Sequence, residues 1–125
     1  MNRSVTLCGA IAAMLAVAAG AFGAHGLRAQ LDPAALAVWG TAANYQMYHA
    51  LALFALGCAR PGERARRWYG AASLCFMAGI VLFSGSLYAL ALSGIRVLGM
   101  ITPLGGTLFL LGWACIVAGA WRSEH

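Results

Sequence analysis

The chain has 125 residues, of which 62% are hydrophobic and only 9% charged. Soluble domains carry roughly 25% charged residues, so this composition excludes an ordinary soluble protein and indicates one small membrane domain. The net charge of +5 does not indicate nucleic-acid binding, because no polar segment is long enough to fold into a basic face.

Four apolar stretches predict an all-α fold, a polytopic bundle of four antiparallel transmembrane helices in a single domain. The predicted spans lie at about residues 5–24, 34–58, 68–92 and 103–121. The first stretch also looks like a secretory signal peptide that ends near residues 21–23. Its apolar run is longer than the roughly 7–15 residues of a signal core, and three more stretches follow, so we expect an uncleaved span.

Local signals mark where the spans begin and end. Asp32 followed by Pro33 is typical of a helix start, and Thr102 followed by Pro103 repeats this pattern at the head of the fourth span. The apolar segment at residues 97–101 is expected to form a shallow helical turn in the membrane interface. The chain therefore divides into two helical hairpins, joined by a charged turn.

Arginine is distributed unevenly between the two ends of the predicted bundle. One end receives Arg3, Arg60, Arg64, Arg66, Arg67 and Arg122, and the other receives Arg28 and Arg96. Because positive residues favour the cytoplasmic side, we expect both the N terminus and the C terminus to be cytoplasmic. Aromatic residues near the span ends, Trp39 among them, suit an interfacial belt, whereas Trp113 lies deeper and is interpreted as a packing residue.

Polar side chains at membrane depth are costly, so their positions are the most informative signal for function. We define a predicted intramembrane polar cluster as Thr41, Asn44, Tyr45, Gln46 and His49 of the second span with Ser84 and Tyr88 of the third. The spacing of Thr41, Tyr45 and His49 predicts one face that looks into the bundle, with Gln46 beside it. Ser84 and Tyr88 are expected to hydrogen-bond to Thr41 or Asn44. His49 has two interpretations, an interhelical hydrogen-bonding residue and a proton-relay or ligand-contacting group.

A second polar group is predicted on the outer face of the bundle. This outer-face polar centre consists of His25, Arg28, Asp32, Arg96 and Thr102. Free amides at the start of the fourth helix would receive an anion or a lipid headgroup there. No metal or cofactor is expected, because the four cysteines are spaced singly and His25 and His49 lie at different depths.

Four segments in order resemble one known family. They are residues 20–27, 39–53, 83–88 and 101–106, which include the sequences Gly-Ala-His-Gly at 23–26 and Thr-Pro-Leu-Gly-Gly at 102–106. They resemble the domain of unknown function 423 family, also called the transmembrane protein 256 and YgdD family, over nearly the whole chain. The resemblance implies a four-helix integral membrane protein, of the inner membrane in bacteria, with no established activity. It marks as motif positions His25, Tyr45, Gln46, His49, Ser84, Tyr88, Thr102 and Pro103.

Several functions are compatible with this sequence. The favoured one is a non-enzymatic protein that binds membrane lipid or another membrane protein, with a homo-oligomer as one form. The alternative is a small oligomeric carrier or channel whose path is lined by the polar face of the second helix. An enzyme with His49 or His25 as acid or base lacks a nucleophile and an orienting carboxylate. A sealed, hydrogen-bonded interior favours the binding protein, and a continuous hydrated opening favours transport.

Overall fold

The computed structural model describes residues 1–123, and every regular element in that range is helical. It has four long helices, which are α1 (Arg3–His25), α2 (Pro33–Cys58), α3 (Glu63–Ser93) and α4 (Thr102–Ser123). The predicted all-helical architecture with four helices is confirmed. Each predicted apolar stretch lies within one of these helices.

The ends of the helices follow the local chemistry of the sequence. Asp32 caps α2, because its Oδ1 accepts a hydrogen bond of 2.7 Å from the backbone N–H of Ala35, and Pro33 is the first helical residue. Gly94 ends α3 in the left-handed conformation at φ 71°, which glycine adopts without strain. The predicted helical turn before the last helix is a 3-10 helix, Arg96–Met100.

The helices form two antiparallel pairs, α1 with α2 and α3 with α4, and α2 packs across the second half of α3. At one end of the first pair, the backbone N–H of Asn2 donates to the carbonyl of Gly57 over 2.7 Å. Towards the other end, the indole N–H of Trp39 donates to the carbonyl of Ala19 over 2.7 Å. These two bonds fix the register of α1 along α2.

Small residues allow the close approach of α1 and α2, as expected where hydrophobic driving force between helices is weak. A Cβ atom at Gly9 would lie 2.5 Å from the backbone nitrogen of Phe54, so only glycine fits at this contact. The buried residues of α1 are Gly9, Ala16 and Gly23. By contrast, Gly20 lies beside open space on the same helix.

Within the described residues, three segments are long and apolar enough to cross a membrane by length and composition, namely Arg3–His25, Glu63–Ser93 and Arg96–Ser123. Helix α2 is 26 residues long but carries several polar residues in its central part. It packs against both α1 and the second half of α3. The two hairpins therefore meet at α2, and the polar cluster lies at that junction.

Candidate functional site

Gln46 on α2 connects three helices in the middle of the bundle. Its side chain is 7% exposed, and its Nε2 donates to the backbone carbonyl of Ala12 on α1 over 2.8 Å. Its Oε1 accepts a hydrogen bond of 2.7 Å from the hydroxyl of Tyr88 on α3. One buried amide thus uses both its donor and its acceptor to hold α1 and α3 to α2.

His49 lies one turn further along α2 and is also 7% exposed. Its Nδ1 is 2.7 Å from the backbone carbonyl of Tyr45, and its Nε2 accepts a hydrogen bond of 3.1 Å from the indole N–H of Trp113 on α4. A carbonyl can only accept and an indole N–H can only donate. The two contacts together therefore require a neutral imidazole that carries its proton on Nδ1.

Aromatic rings enclose the imidazole of His49. The ring of Phe109 stacks on it with centroids 3.6 Å apart and an interplanar angle of 6°, and Phe76 meets it edge-on at 5.3 Å. Trp113 contacts both His49 and Phe76. The imidazole is thus held by packing on its faces and by hydrogen bonds at both nitrogens, and neither nitrogen is free for a ligand.

Ser84 joins α2 to α3 at a local irregularity of α3. Residues Ile80–Ser84 form a π-helical segment, and the hydroxyl of Ser84, 1% exposed, donates to the backbone carbonyl of Ala42 over 2.7 Å. Such π-helical insertions occur often at functional sites. Here the insertion coincides with the point where α3 crosses α2.

The structure corrects the predicted face of α2. Gln46 and His49 point into the bundle, but Thr41 and Asn44 are exposed, and Tyr45 is 41% exposed. The hydroxyl of Thr41 donates to the carbonyl of Ala37 in its own helix, so it does not bond across to α3. The physical reason is that Ala42, Ala43 and Ala50 on the opposite side allow closer packing.

The acceptors of the α3 side chains also differ from the prediction. Ser84 was expected to bond to Thr41 or Asn44, but its acceptor is the backbone carbonyl of Ala42. Tyr88 donates to Gln46 instead. The two hydroxyls thus bond to one backbone carbonyl and one glutamine, because residues 41 and 44 lie on the outward-facing side of α2.

The predicted outer-face polar centre is largely dispersed. His25 ends α1, while Arg28, Asp32 and Arg96 lie in connecting segments, all of them exposed. Among the contacts within residues 1–123, Thr102 is the one member that meets another polar side chain, since its hydroxyl lies 2.7 Å from that of Ser86 on α3. That contact ties the start of α4 to α3.

Two tryptophans have roles that the sequence did not reveal. Trp39, assigned above to an interfacial belt, is 9% exposed and bonds to α1, and its ring lies 4.6 Å from that of Tyr88. Trp113, assigned to packing, supplies the donor for His49. No local pattern could have found the His49–Trp113 bond, because its partners are 64 residues apart.

A groove of about 460 Å³ opens on the surface between α1 and α3, above the polar cluster. Its walls are mainly apolar, with Ile11 and Leu15 on α1 and Val81 on α3, and Gln46 and Tyr88 line it as well.

Within residues 1–123, no group of three or more His, Cys, Asp or Glu residues is placed to bind a metal ion. All four cysteines are free thiols.

The fold and this interior define a small helical membrane protein in which the buried side chains of Gln46, His49 and Ser84 are hydrogen-bonded. Residues 19–106 match the model of the family described as protein of unknown function, DUF423. The chain belongs to that family, as the resemblance of its motifs predicted. No solved structure matches it.

Curated relatives cover almost the whole chain. It is 50% identical over 117 residues to the UPF0382 membrane protein SSP2132 of Staphylococcus saprophyticus, which covers 93% of this chain and 95% of that protein. It is 47% identical over 114 residues to the UPF0382 membrane protein YwdK of Bacillus subtilis, at 91% and 93% coverage. A UPF0382 membrane protein of Haemophilus influenzae is 42% identical over 123 residues, at 98% and 97% coverage. These relatives are named as membrane proteins, and their names state no activity.

Proposed function

We propose that the protein is a non-enzymatic component of the bacterial inner membrane that binds lipid or another membrane protein, with a second copy of itself as the first protein partner. The main support for this proposal comes from Asn44 on α2. Its amide is exposed and has no hydrogen-bond partner among residues 1–123. It lies about 17 Å along α2 from the helix start, well inside a hydrocarbon core of about 30 Å. An amide at that depth is costly unless another protein group pairs with it.

The surroundings of Asn44 favour a helix as the partner. Tyr48 lies one turn further on the same exposed face and is 54% exposed. A Cβ at Gly20 or Gly40 would meet no atom within 4 Å, and both glycines line a shallow groove with Asn44 between α1 and α2. A carboxamide both donates and accepts, so two copies of Asn44 can pair across a two-fold axis.

The interior supports binding rather than transport within one subunit. Gln46, His49 and Ser84 are buried, and each is hydrogen-bonded to a neighbouring group. These three groups are therefore not free to line a path through the bundle. One observation favours the alternative of an oligomeric carrier, because Thr41, Asn44 and Tyr45 are exposed on α2 and would line a path between subunits.

The same proposal includes α2 as a fourth span and both termini on the cytoplasmic side. Helix α2 has 26 residues and so extends about 39 Å, enough to cross the bilayer. Its polar residues Gln46 and His49 are satisfied inside the bundle, which lowers the cost of insertion. Six arginines belong to one end and two to the other, which supports the orientation. Reporter fusions after residue 30 and at the C terminus should report opposite sides.

Self-association of purified protein in liposomes tests the proposed partner. We expect wild-type chains labelled with donor and acceptor dyes to show energy transfer that rises with the protein-to-lipid ratio. Asn44→Leu should weaken the association about tenfold, the effect of one interhelical hydrogen bond of about 1.4 kcal/mol. The matched control is Thr41→Val on the same face, because the Thr41 hydroxyl is already bonded within α2.

Two results would contradict the proposal. The first is a wild-type protein that stays monomeric at a high protein-to-lipid ratio. The second is an Asn44→Leu variant that associates as strongly as Thr41→Val, which would show that Asn44 does not contribute to self-association. Solute or ion flux through wild-type liposomes that Asn44→Leu abolishes would instead favour the oligomeric carrier.

A further inference from the structure

A cationic cleft lies between α3 and α4 at the end of the bundle that carries most of the arginines. It measures about 580 Å³ and is lined by Glu63, Arg64, Arg67, Trp121 and Arg122. Among residues 1–123, this lining carries three arginines and one glutamate, so its charge is positive. It is separate from the polar interior and from the surface around Asn44.

The indole of Trp68 organises this cleft. The guanidinium carbon of Arg122 lies 4.8 Å from the centre of the Trp68 ring, and that of Arg67 lies 5.5 Å from it. Cation–π attraction to the indole holds both guanidinium groups at the cleft. This attraction uses the charge of the guanidinium rather than its N–H groups, so these donors can still bind a bidentate acceptor.

The guanidinium carbons of Arg67 and Arg122 lie at most about 10 Å apart, because each is near the same ring centre, so their charges repel each other across about one Debye length. An anion that contacts both guanidinium groups would remove this repulsion. A phosphate oxygen pair fits the donor geometry of arginine better than a single-point acceptor does. Arg67 and Arg122 line the same cleft, which makes this cleft suited to a phosphate group.

The position of the cleft favours a phospholipid as the source of that phosphate. Trp121 lines the cleft and is 76% exposed, as is typical of tryptophan at the level of lipid headgroups. Both walls are ends of helices that are long and apolar enough to cross a membrane. Clusters of arginine next to such helices attract anionic lipids of the cytoplasmic leaflet.

We propose that Arg67 and Arg122, held on Trp68, bind the phosphodiester headgroup of an anionic phospholipid. This inference rests on the proposed lipid- and protein-binding function and names the lipid class and its site. It concerns a different surface from the self-association through Asn44. Each can therefore fail without the other.

Lipid titrations followed by native mass spectrometry of the full chain test the site. Wild-type protein should bind phosphatidylglycerol about tenfold or more tightly than phosphatidylcholine with the same acyl chains. The double variant Arg67→Gln with Arg122→Gln should lose that preference. The matched control is Arg60→Gln with Arg66→Gln, which removes the same charge from the same end of the bundle but lines another cleft and should keep the preference.

Two further measurements distinguish specific lipid binding at this site from general electrostatic attraction and from binding of free phosphate. Trp68→Leu keeps every charge but removes the stacking surface, so it should lower the preference for phosphatidylglycerol at least several-fold. Millimolar inorganic phosphate should leave the lipid bound. The inference is overturned by a wild type without headgroup preference, by equal losses in the two double variants, or by displacement with inorganic phosphate. Because the first result needs only the wild type, the test does not depend on the folding of any variant.

Discussion

The contact between α1 and α2 at Gly9 allows a sharp test of how this bundle is held together. We expect Gly9→Ala to destabilise the protein, because the added Cβ would lie 2.5 Å from the backbone nitrogen of Phe54 and 2.9 Å from both the Phe54 Cα and the Ala50 carbonyl oxygen. Ordinary contacts between such atoms are about 3.5–4.0 Å. Backbone atoms cannot rotate away as a side chain can, so α1 must move outward by about 1 Å.

The energetic cost follows from that displacement. Overpacking of a closely packed interface typically costs about 1–3 kcal/mol. Moving α1 also stretches the bond from Gln46 Nε2 to the carbonyl of Ala12, which is 2.8 Å long. The gain in helix propensity from glycine to alanine offsets up to about 1 kcal/mol. We therefore expect a net loss of about 1–2 kcal/mol in the free energy of unfolding.

Unfolding in mixed micelles with increasing SDS, followed by tryptophan fluorescence, measures this loss. Gly20→Ala is the matched control in micelles that each hold a single chain, because it makes the same chemical change on the same helix where no atom of the chain lies within 4 Å of the new Cβ. It should be neutral or slightly stabilising. If Gly9→Ala and Gly20→Ala unfold at the same SDS fraction, the close approach of α1 to α2 described above is wrong.

Two further predictions concern the polar interior. Gln46→Leu leaves the Tyr88 hydroxyl without its acceptor and should lower the free energy of unfolding by about 1–2 kcal/mol. A double-mutant cycle with Tyr88→Phe should give a coupling energy of about 0.5–1.5 kcal/mol. Independent effects of the two changes would contradict this hydrogen bond. Trp113→Phe removes the donor to His49 Nε2 and should lower the free energy of unfolding by about 1 kcal/mol. His49→Ala also removes the ring stacked on Phe109 and should lower it by about 2–4 kcal/mol. Nitrogen-15 NMR of the wild-type imidazole should show a neutral ring protonated at Nδ1, and a ring protonated at Nε2 would refute the assigned contacts.

The hydrogen bonds of the interior explain how a helix as polar as α2 can lie in the centre of this bundle. Gln46 and His49 place their polar atoms against a carbonyl, a tyrosine and a tryptophan of three other helical segments. Each such bond compensates for the removal of a polar group from water. The same groups hold α1, α3 and α4 at fixed rotations around α2.

The sequence by itself determined the number, the type and the approximate limits of the helices. Hydropathy and length are local properties, and so are the cap at Asp32 and the proline that follows it. The arginine distribution likewise predicts an orientation from composition alone. These signals need no knowledge of which helices are neighbours.

Only the tertiary structure decided which way each helix faces and what its polar atoms contact. Thr41, Tyr45 and Gln46 are equally plausible inward residues from their spacing, but small residues such as Ala42 and Ala50 set the packed face and turned Thr41 outward. A stripe of small residues in α2 was the signal that could have shown this. Rotation of a helix about its own axis changes no local property of the chain, so it is fixed by the packing of distant segments.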